Sequence, residues 1–327
     1  MMATAVNPLL RVTDLKVHFA TRAGLLRRPG TAVRAVDGVS FTVGAAETFA
    51  LVGESGCGKS TTGYAVLGML RPTAGQVEFL GKDLTRLDRT ALREAQRDLQ
   101  IIFQDPFSSL DPKMRIGESI AEPLVARGVL SGAALARRTG EVLEMVGLRR
   151  EHAGRFPHEF SGGQRQRIVI ARALALQPTL IVCDEPVSAL DVSIRSQILN
   201  LLMRLQGDLG IAYLFISHDL AVVRHVSDRV AVMYLGHIVE EAPTEQLFAA
   251  PTHPYTKALL SAILLPDPVA QRARRPVVLH GDLPSPAAPP SGCAFRTRCP
   301  LAQARCAEEK PALRAIGEAH RAACHFV

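Results

Sequence analysis

The segment Gly53-Glu54-Ser55-Gly56-Cys57-Gly58-Lys59-Ser60, continued by Thr61, has the make-up of a phosphate cradle. Its glycines let backbone amides wrap an anion, Lys59 can reach terminal phosphates, and the Ser60 hydroxyl can ligate magnesium. It lies between the apolar run Phe49 to Val52 and a helical pattern, the strand-loop-helix setting in which this Walker A spacing has a mechanical meaning. Cys57 is read as filling a variable loop position and not as a redox centre. A second site follows Leu180-Ile181-Val182-Cys183, where Asp184 and Glu185 end an apolar strand pattern. Asp184 would hold magnesium, directly or through water, and Glu185 would orient and deprotonate an attacking water. A carboxylate pair also suits a helix N-terminus for ordinary dipole reasons, but downstream of a phosphate loop the catalytic reading takes precedence. A third site is Phe160-Ser161-Gly162-Gly163-Gln164 ahead of the helical stretch Arg165 to Leu176. Its serine and glycines expose backbone donors at a helix start, about 100 residues from Lys59 and with no lysine of their own. The plain alternative is a capped helix start.

The third segment resembles the signature motif of ABC-transporter ATPases, with Phe160 where leucine is commoner. Other elements of that family stand in the same order: Gln104 matches the Q-loop glutamine, Ser188-Ala189-Leu190-Asp191 the D-loop, and His218 the switch histidine. The resemblance implies that two subunits pack head to tail with ATP between the phosphate loop of one and the signature motif of the other. Ser161, Gly162 and Gly163, with Gln164 beside them, would then face the γ-phosphate held by the partner. His218 would contact the γ-phosphate on its own chain, and Gln104 would join Ser60 and Asp184 at the magnesium. Phe19 matches the position that stacks on adenine, the alternative being an ordinary core phenylalanine.

Three further segments narrow the resemblance to the oligopeptide/dipeptide importer ATPases, closest to their F-type subunit: Gln104-Asp105-Pro106-Phe107-Ser108-Ser109-Leu110-Asp111-Pro112, His253-Pro254-Tyr255-Thr256 and Pro289-Pro290-Ser291-Gly292-Cys293. That branch implies peptide uptake, with nickel, glutathione or another small solute as the alternative cargo. It also implies a second, homologous ATPase in a heterodimer, two transmembrane permease subunits and an external solute-binding protein acting through them. The expected location is the cytoplasmic face of the membrane. Cys293, Cys299, Cys306 and Cys324 are separated by five, six and seventeen residues. Four thiolates satisfy either tetrahedral zinc or a cubic iron-sulfur cluster, and spacing does not choose. The resemblance favours a structural 4Fe-4S cluster over zinc.

The elements that must position these residues follow from periodicity. Leu15 to Phe19 and Val39 to Val43 alternate as strands, and the Gly- and Arg-rich segment Ala23 to Thr31 reads as a solvated loop. A helix is expected over Thr61 to Leu70 and a strand over Gly75 to Leu80. Between Arg86 and Arg172 the pattern is mostly helical, with breaks at Pro106, Pro112, Pro123 and Pro157, and Leu180 to Cys183 and Ala212 to Ile216 read as buried parallel strands. After Pro251 the composition shifts to a proline-marked strap through Pro266, Pro268, Pro276, Pro284, Pro286, Pro289 and Pro290. The expectation is an α/β ABC-type nucleotide-binding domain over 1–250. It has a RecA-like, mostly parallel core sheet, an antiparallel β subdomain and a helical subdomain at about 105–175. A small, irregular, cysteine-bearing extension follows over 251–327.

With 327 residues, 47% of them hydrophobic, the chain can bury a core of this size. No apolar run is long enough to span a membrane, and the N-terminal residues lack a basic-then-apolar signal pattern. The net charge of +7 suits a nucleic-acid binder as well as a membrane-surface protein. The nucleic-acid reading is set aside because the chain carries neither long coiled coils between its Walker motifs nor a second cassette, so no nucleic-acid partner is expected.

Overall fold

The computed structural model describes residues 7–23, 28–263, 267, 269, 272, 277, 279 and 281–327. The first elements are β1 (Leu10–Ala23), β2 (Arg28–Val43), β3 (Thr48–Val52), α1 (Lys59–Val66), β4 (Ala74–Phe79), β5 (Lys82–Asp83), α2 (Arg89–Ala95) and β6 (Leu99–Ile102). Then come α3 (Ile116–Ala126), α4 (Gly132–Met145), α5 (Gly162–Leu174), β7 (Leu180–Asp184), α6 (Val192–Leu209) and β8 (Ala212–Ser217). The last part holds α7 (Leu220–Val226), β9 (Arg229–Tyr234), β10 (His237–Pro243), α8 (Thr244–Ala249), α9 (Pro254–Ser261), β11 (Arg314–Gly317) and β12 (His320–Ala322). Among the described residues no helix is long and apolar enough to cross a membrane.

These elements form two units. The first comprises the chain through Val43, Thr48–Arg86 and Ile216–Val327. In it β1 and β2 pair antiparallel from Leu10↔Val43 to Ala23↔Arg28, and β4 and β5 complete a four-stranded sheet in the order β2-β1-β4-β5. Alternation puts Leu10, Val12, Val36, Phe41, Val77 and Phe79 inside. Residues 28–31, expected in a loop over 23–31, belong to β2, and Ala23 belongs to β1; residues 24–27 lie outside the described residues. A second sheet segment runs β11-β12-β10-β9-β3. β3 and β9 are parallel and buried, as their unbroken apolar runs require.

The second unit is Gly44–Glu47 with Leu87–Phe215. Its strands β6 and β7 are parallel, with β8 next to β7. Helices α3, α4 and α5 pack on one another through Ile116, Ile120, Leu124, Val142, Leu143, Ile168 and Leu174, all buried. Pro123 does not break this region as expected, because α3 passes through it. Proline removes one helical donor there, and the buried apolar side of α3 compensates. α1 also differs from expectation, closing at Val66 where Gly68 takes a left-handed φ of 67°.

The extension beyond 250 is more regular than its proline content suggests. β12 pairs with β10 through Glu240↔Ala322 and Glu241↔Arg321, and a short helix spans Ala304–Glu308. Of the strap prolines, Pro266, Pro268 and Pro276 lie outside the described residues.

Candidate functional site

β3 delivers its C-terminal end to the phosphate loop, and α1 begins at Lys59. Lys59 is buried, its Nζ donating to the carbonyls of Gly53 at 2.8 Å and Glu54 at 3.0 Å. Gly58 caps α1 at φ 107°, and a Cβ there would stand 2.1 Å from the carbonyl oxygen of Ala35. Both facts forbid a side chain at that point. Cys57 is buried and burial pushes its thiol pKa up, which keeps it protonated and suits the space-filling reading. Ser60 and Thr61, the next two residues, open the helix.

Two contacts on this loop were not foreseen from the motif. The carboxylate of Glu54 receives both arms of the Arg298 guanidinium, at 2.8 and 3.1 Å. The Glu54 amide donates to the hydroxyl of Tyr255 at 3.0 Å. Tyr255 belongs to the His253-Pro254-Tyr255-Thr256 segment, so that marker had a physical role that its sequence did not disclose. The Glu54 carboxylate also raises the already high pKa of Arg298.

In the same unit, His218 follows β8, and Asp219 caps α7 by accepting from the amides of Ala221 and Val222. Phe19, on β1, is 44% exposed, so the core alternative does not hold for it.

In the second unit, β7 ends at Asp184, which is buried, and Glu185 follows at a φ of 49°. A left-handed glutamate is strained, and the turn that holds it is fastened by Ser188, whose amide and hydroxyl both donate to the Glu185 carbonyl. Gln104 Nε2 donates to Glu185 Oε2 at 3.1 Å, bringing two of the expected residues together from positions 81 apart. Arg195 pins the loop Ser188 to Asp191, donating to the carbonyls of Leu190 at 2.7 Å and Ser188 at 3.3 Å. An arginine one turn into α6 carries no sequence signal for that role.

Ser161 is the N-cap of α5, its hydroxyl accepting from the Gln164 amide while the Gln164 side chain accepts from the Ser161 amide. The capped start is therefore real, and it is compatible with an anion site because the amides of Gly162 and Gly163 remain at the open first turn. A Cβ on Gly163 would meet Ile194 of α6 at 2.5 Å, so that glycine also permits close packing on the segment that follows Asp191.

The four tail cysteines are free thiols, Cys306 buried and the others half-buried. Burial raises the pKa values of Cys293 and Cys299, and the charges of the neighbouring cysteines add to this. The four therefore lie in one neighbourhood. Even so, among the described residues no three His, Cys, Asp or Glu side chains stand where they could hold a metal ion.

Comparison with known proteins agrees with this geometry. Residues 36–188 match the family described as ABC transporter, and residues 239–306 match the oligopeptide/dipeptide transporter C-terminal region. The chain is 52% identical over 308 residues to the oligopeptide transport ATP-binding protein OppF of Salmonella typhimurium, covering 93% of this chain and 92% of that protein. It is 48% identical over 327 residues to the oligopeptide transport ATP-binding protein AppF of Bacillus subtilis, covering 100% of this chain and 99% of that protein. Among solved structures, the dimeric ATP-binding cassette MJ0796 in a post-hydrolysis state with ADP and Pi superposes with a TM-score of 0.62 at 29% identity, covering 72% of this chain and 98% of that one. The chain belongs to the ABC transporter family, as an ATP-binding subunit of its oligopeptide-transport branch.

Proposed function

We propose that this subunit, working at the cytoplasmic face of the membrane beside a homologous second ATPase, hydrolyses ATP to power peptide import through two permease subunits. An external solute-binding protein would deliver the peptide to them. The ATPase domain is assigned to 1–250 with its helical subdomain at about 105–175, and the extension to 251–327. The residues divide the work. Backbone amides of Gly53 to Thr61 and the Lys59 ammonium hold the phosphates, and Phe19 offers its exposed ring to adenine. Ser161, Gly162, Gly163 and Gln164 face the nucleotide of the partner subunit, and the loop Ser188 to Asp191 lines the same junction. His218 contacts the γ-phosphate. The Ser60 hydroxyl, the Asp184 carboxylate and the Gln104 amide oxygen are hard oxygen donors of the kind magnesium takes and would hold that ion, which would supply positive charge beside the phosphates.

The observation that carries this reading is the placement of Glu185. It is a strained residue at the end of β7, directly after the buried Asp184, and its carboxylate Oε2 accepts from Gln104 Nε2 at 3.1 Å, which ties the expected base to the expected magnesium-side glutamine. Glu185→Gln keeps the shape and removes the base. Turnover in the reconstituted transporter should fall by about 10²- to 10⁴-fold while ATP stays bound and peptide uptake stops. Unchanged hydrolysis overturns the assignment.

We also propose that Cys293, Cys299, Cys306 and Cys324 are the ligand set of a structural 4Fe-4S cluster, which would tie down the extension. Their grouping in one small segment supports the idea. Anaerobically purified protein should then carry iron and acid-labile sulfide. One zinc per chain, or no metal at all, rejects it.

A further inference from the structure

We infer that Arg298, carried by the four-cysteine segment, is a positioning residue for the phosphate loop and acts through Glu54. The inference rests on the ATPase reading above and extends it to a part of the chain that the catalytic motifs do not include.

Glu54 is the second residue of a loop that must receive a polyanion, and a carboxylate at that point is electrostatically adverse unless its charge is cancelled. Arg298 cancels it with a two-pronged contact at 2.8 and 3.1 Å, in the planar geometry that fixes direction as well as distance. The arginine side chain is 10% exposed and the glutamate 30%, so the pair is screened less than a fully exposed surface ion pair.

The backbone at the same residue is held independently. Its amide donates to Tyr255, which is fully buried in α9. The carbonyl of Glu54, in turn, accepts from Lys59 at 3.0 Å. Side chain, amide and carbonyl of one loop residue are thus all engaged, and the last of these contacts sets where the lysine that reaches the phosphates comes to rest.

Arg298 is itself delivered rigidly. Its amide donates to the carbonyl of Phe295 at 3.0 Å, closing a turn. The Phe295 ring is fully buried against Tyr234 at 5.2 Å, Tyr255 at 5.4 Å and His253 at 5.6 Å. One aromatic cluster therefore fixes both groups that grip Glu54. A tail that needed only to be fastened down has other fastenings, among them β12 on β10 and the buried His320–Glu240 pair at 2.8 Å.

The test compares ATP turnover by the full chain in the assembled transporter. Arg298→Ala should raise KM for ATP by about tenfold while kcat stays within about twofold, because the loop is misplaced and the base is untouched. Arg298→Lys should recover part of that loss. Glu54→Gln combined with Arg298→Ala should be no worse than Arg298→Ala alone, since the partner charge is gone. Arg296→Ala disturbs the tail at Ser291, away from the loop, and should leave KM unchanged. A KM for Arg298→Ala within twofold of wild type overturns the inference, as does an equal rise in Arg296→Ala, which would make the effect one of tail folding. Absence of ATP turnover in the wild-type complex would instead sink the underlying ATPase reading.

Discussion

At Glu185 and Gly58 two residues hold left-handed backbone for opposite reasons. The glutamate accepts strain because its carboxylate has to stand at the end of β7, and Ser188 holds the turn shut. The glycine is there because nothing larger fits between the loop and the Ala35 carbonyl. Gly58→Ala should accordingly lower stability by about 1–3 kcal/mol and abolish nucleotide binding together, since the clash moves the loop that carries Lys59. Thermal melting and a fluorescent-nucleotide titration check this, and an alanine variant with wild-type values for both contradicts it. At this scale the sequence was highly legible. The residue types for phosphate, magnesium and water chemistry sit within a few positions of one another, so spacing alone exposed them. Arg298 and Arg195 were invisible, because an arginine that acts across the fold looks like any solvated arginine in the sequence.

Strand and helix ends show how elements turn these residues into a site. His253 starts α9 by accepting the Tyr255 amide on Nδ1 at 3.1 Å, which only a neutral imidazole can do. Burial brings its pKa down to about 4 against the opposing pull of Glu240. His237, at the start of β10, is held at about 4 chiefly by burial, with the Lys310 charge assisting and Asp37 opposing. Both therefore stay neutral in the fold while the unfolded chain takes up protons below about 6.5, so stability is present above that pH and is lost on acidification toward 4. The loss should be on the order of 2–3 kcal/mol for each histidine. Melting temperatures measured across that window should fall, and His253→Asn, which keeps a capping side chain without a titratable ring, should flatten the fall. An identical slope in the variant rules out the histidine. Periodicity located β1 to β4, β7 and β8, but it left β6 inside a stretch read as mostly helical, gave no strand for β9 or β10, and misjudged Pro123 and the end of α1. A proline inside a helix is tolerated when packing holds the helix on the other side, and a helix stops where a glycine can turn left-handed.

Across the whole molecule, catalysis on a triphosphate demands local backbone donors, a lysine and a carboxylate pair at strand-to-helix junctions. The sequence by itself therefore determined the family, and it singled out the phosphate loop, Asp184 and Glu185 and the signature glycines as candidates, because each is a short run of adjacent residues whose types are recognisable without knowing their distant neighbours. Only the tertiary structure decided that Arg298, 244 positions from Glu54, and Tyr255, 201 positions from it, hold that loop. It also decided that the tail extends a sheet through β12. The reason is physical. Contacts between residues hundreds of positions apart are set by how strands are ordered and aromatic rings packed, and those choices minimise the free energy of the whole fold, with no trace in the spacing of any one segment.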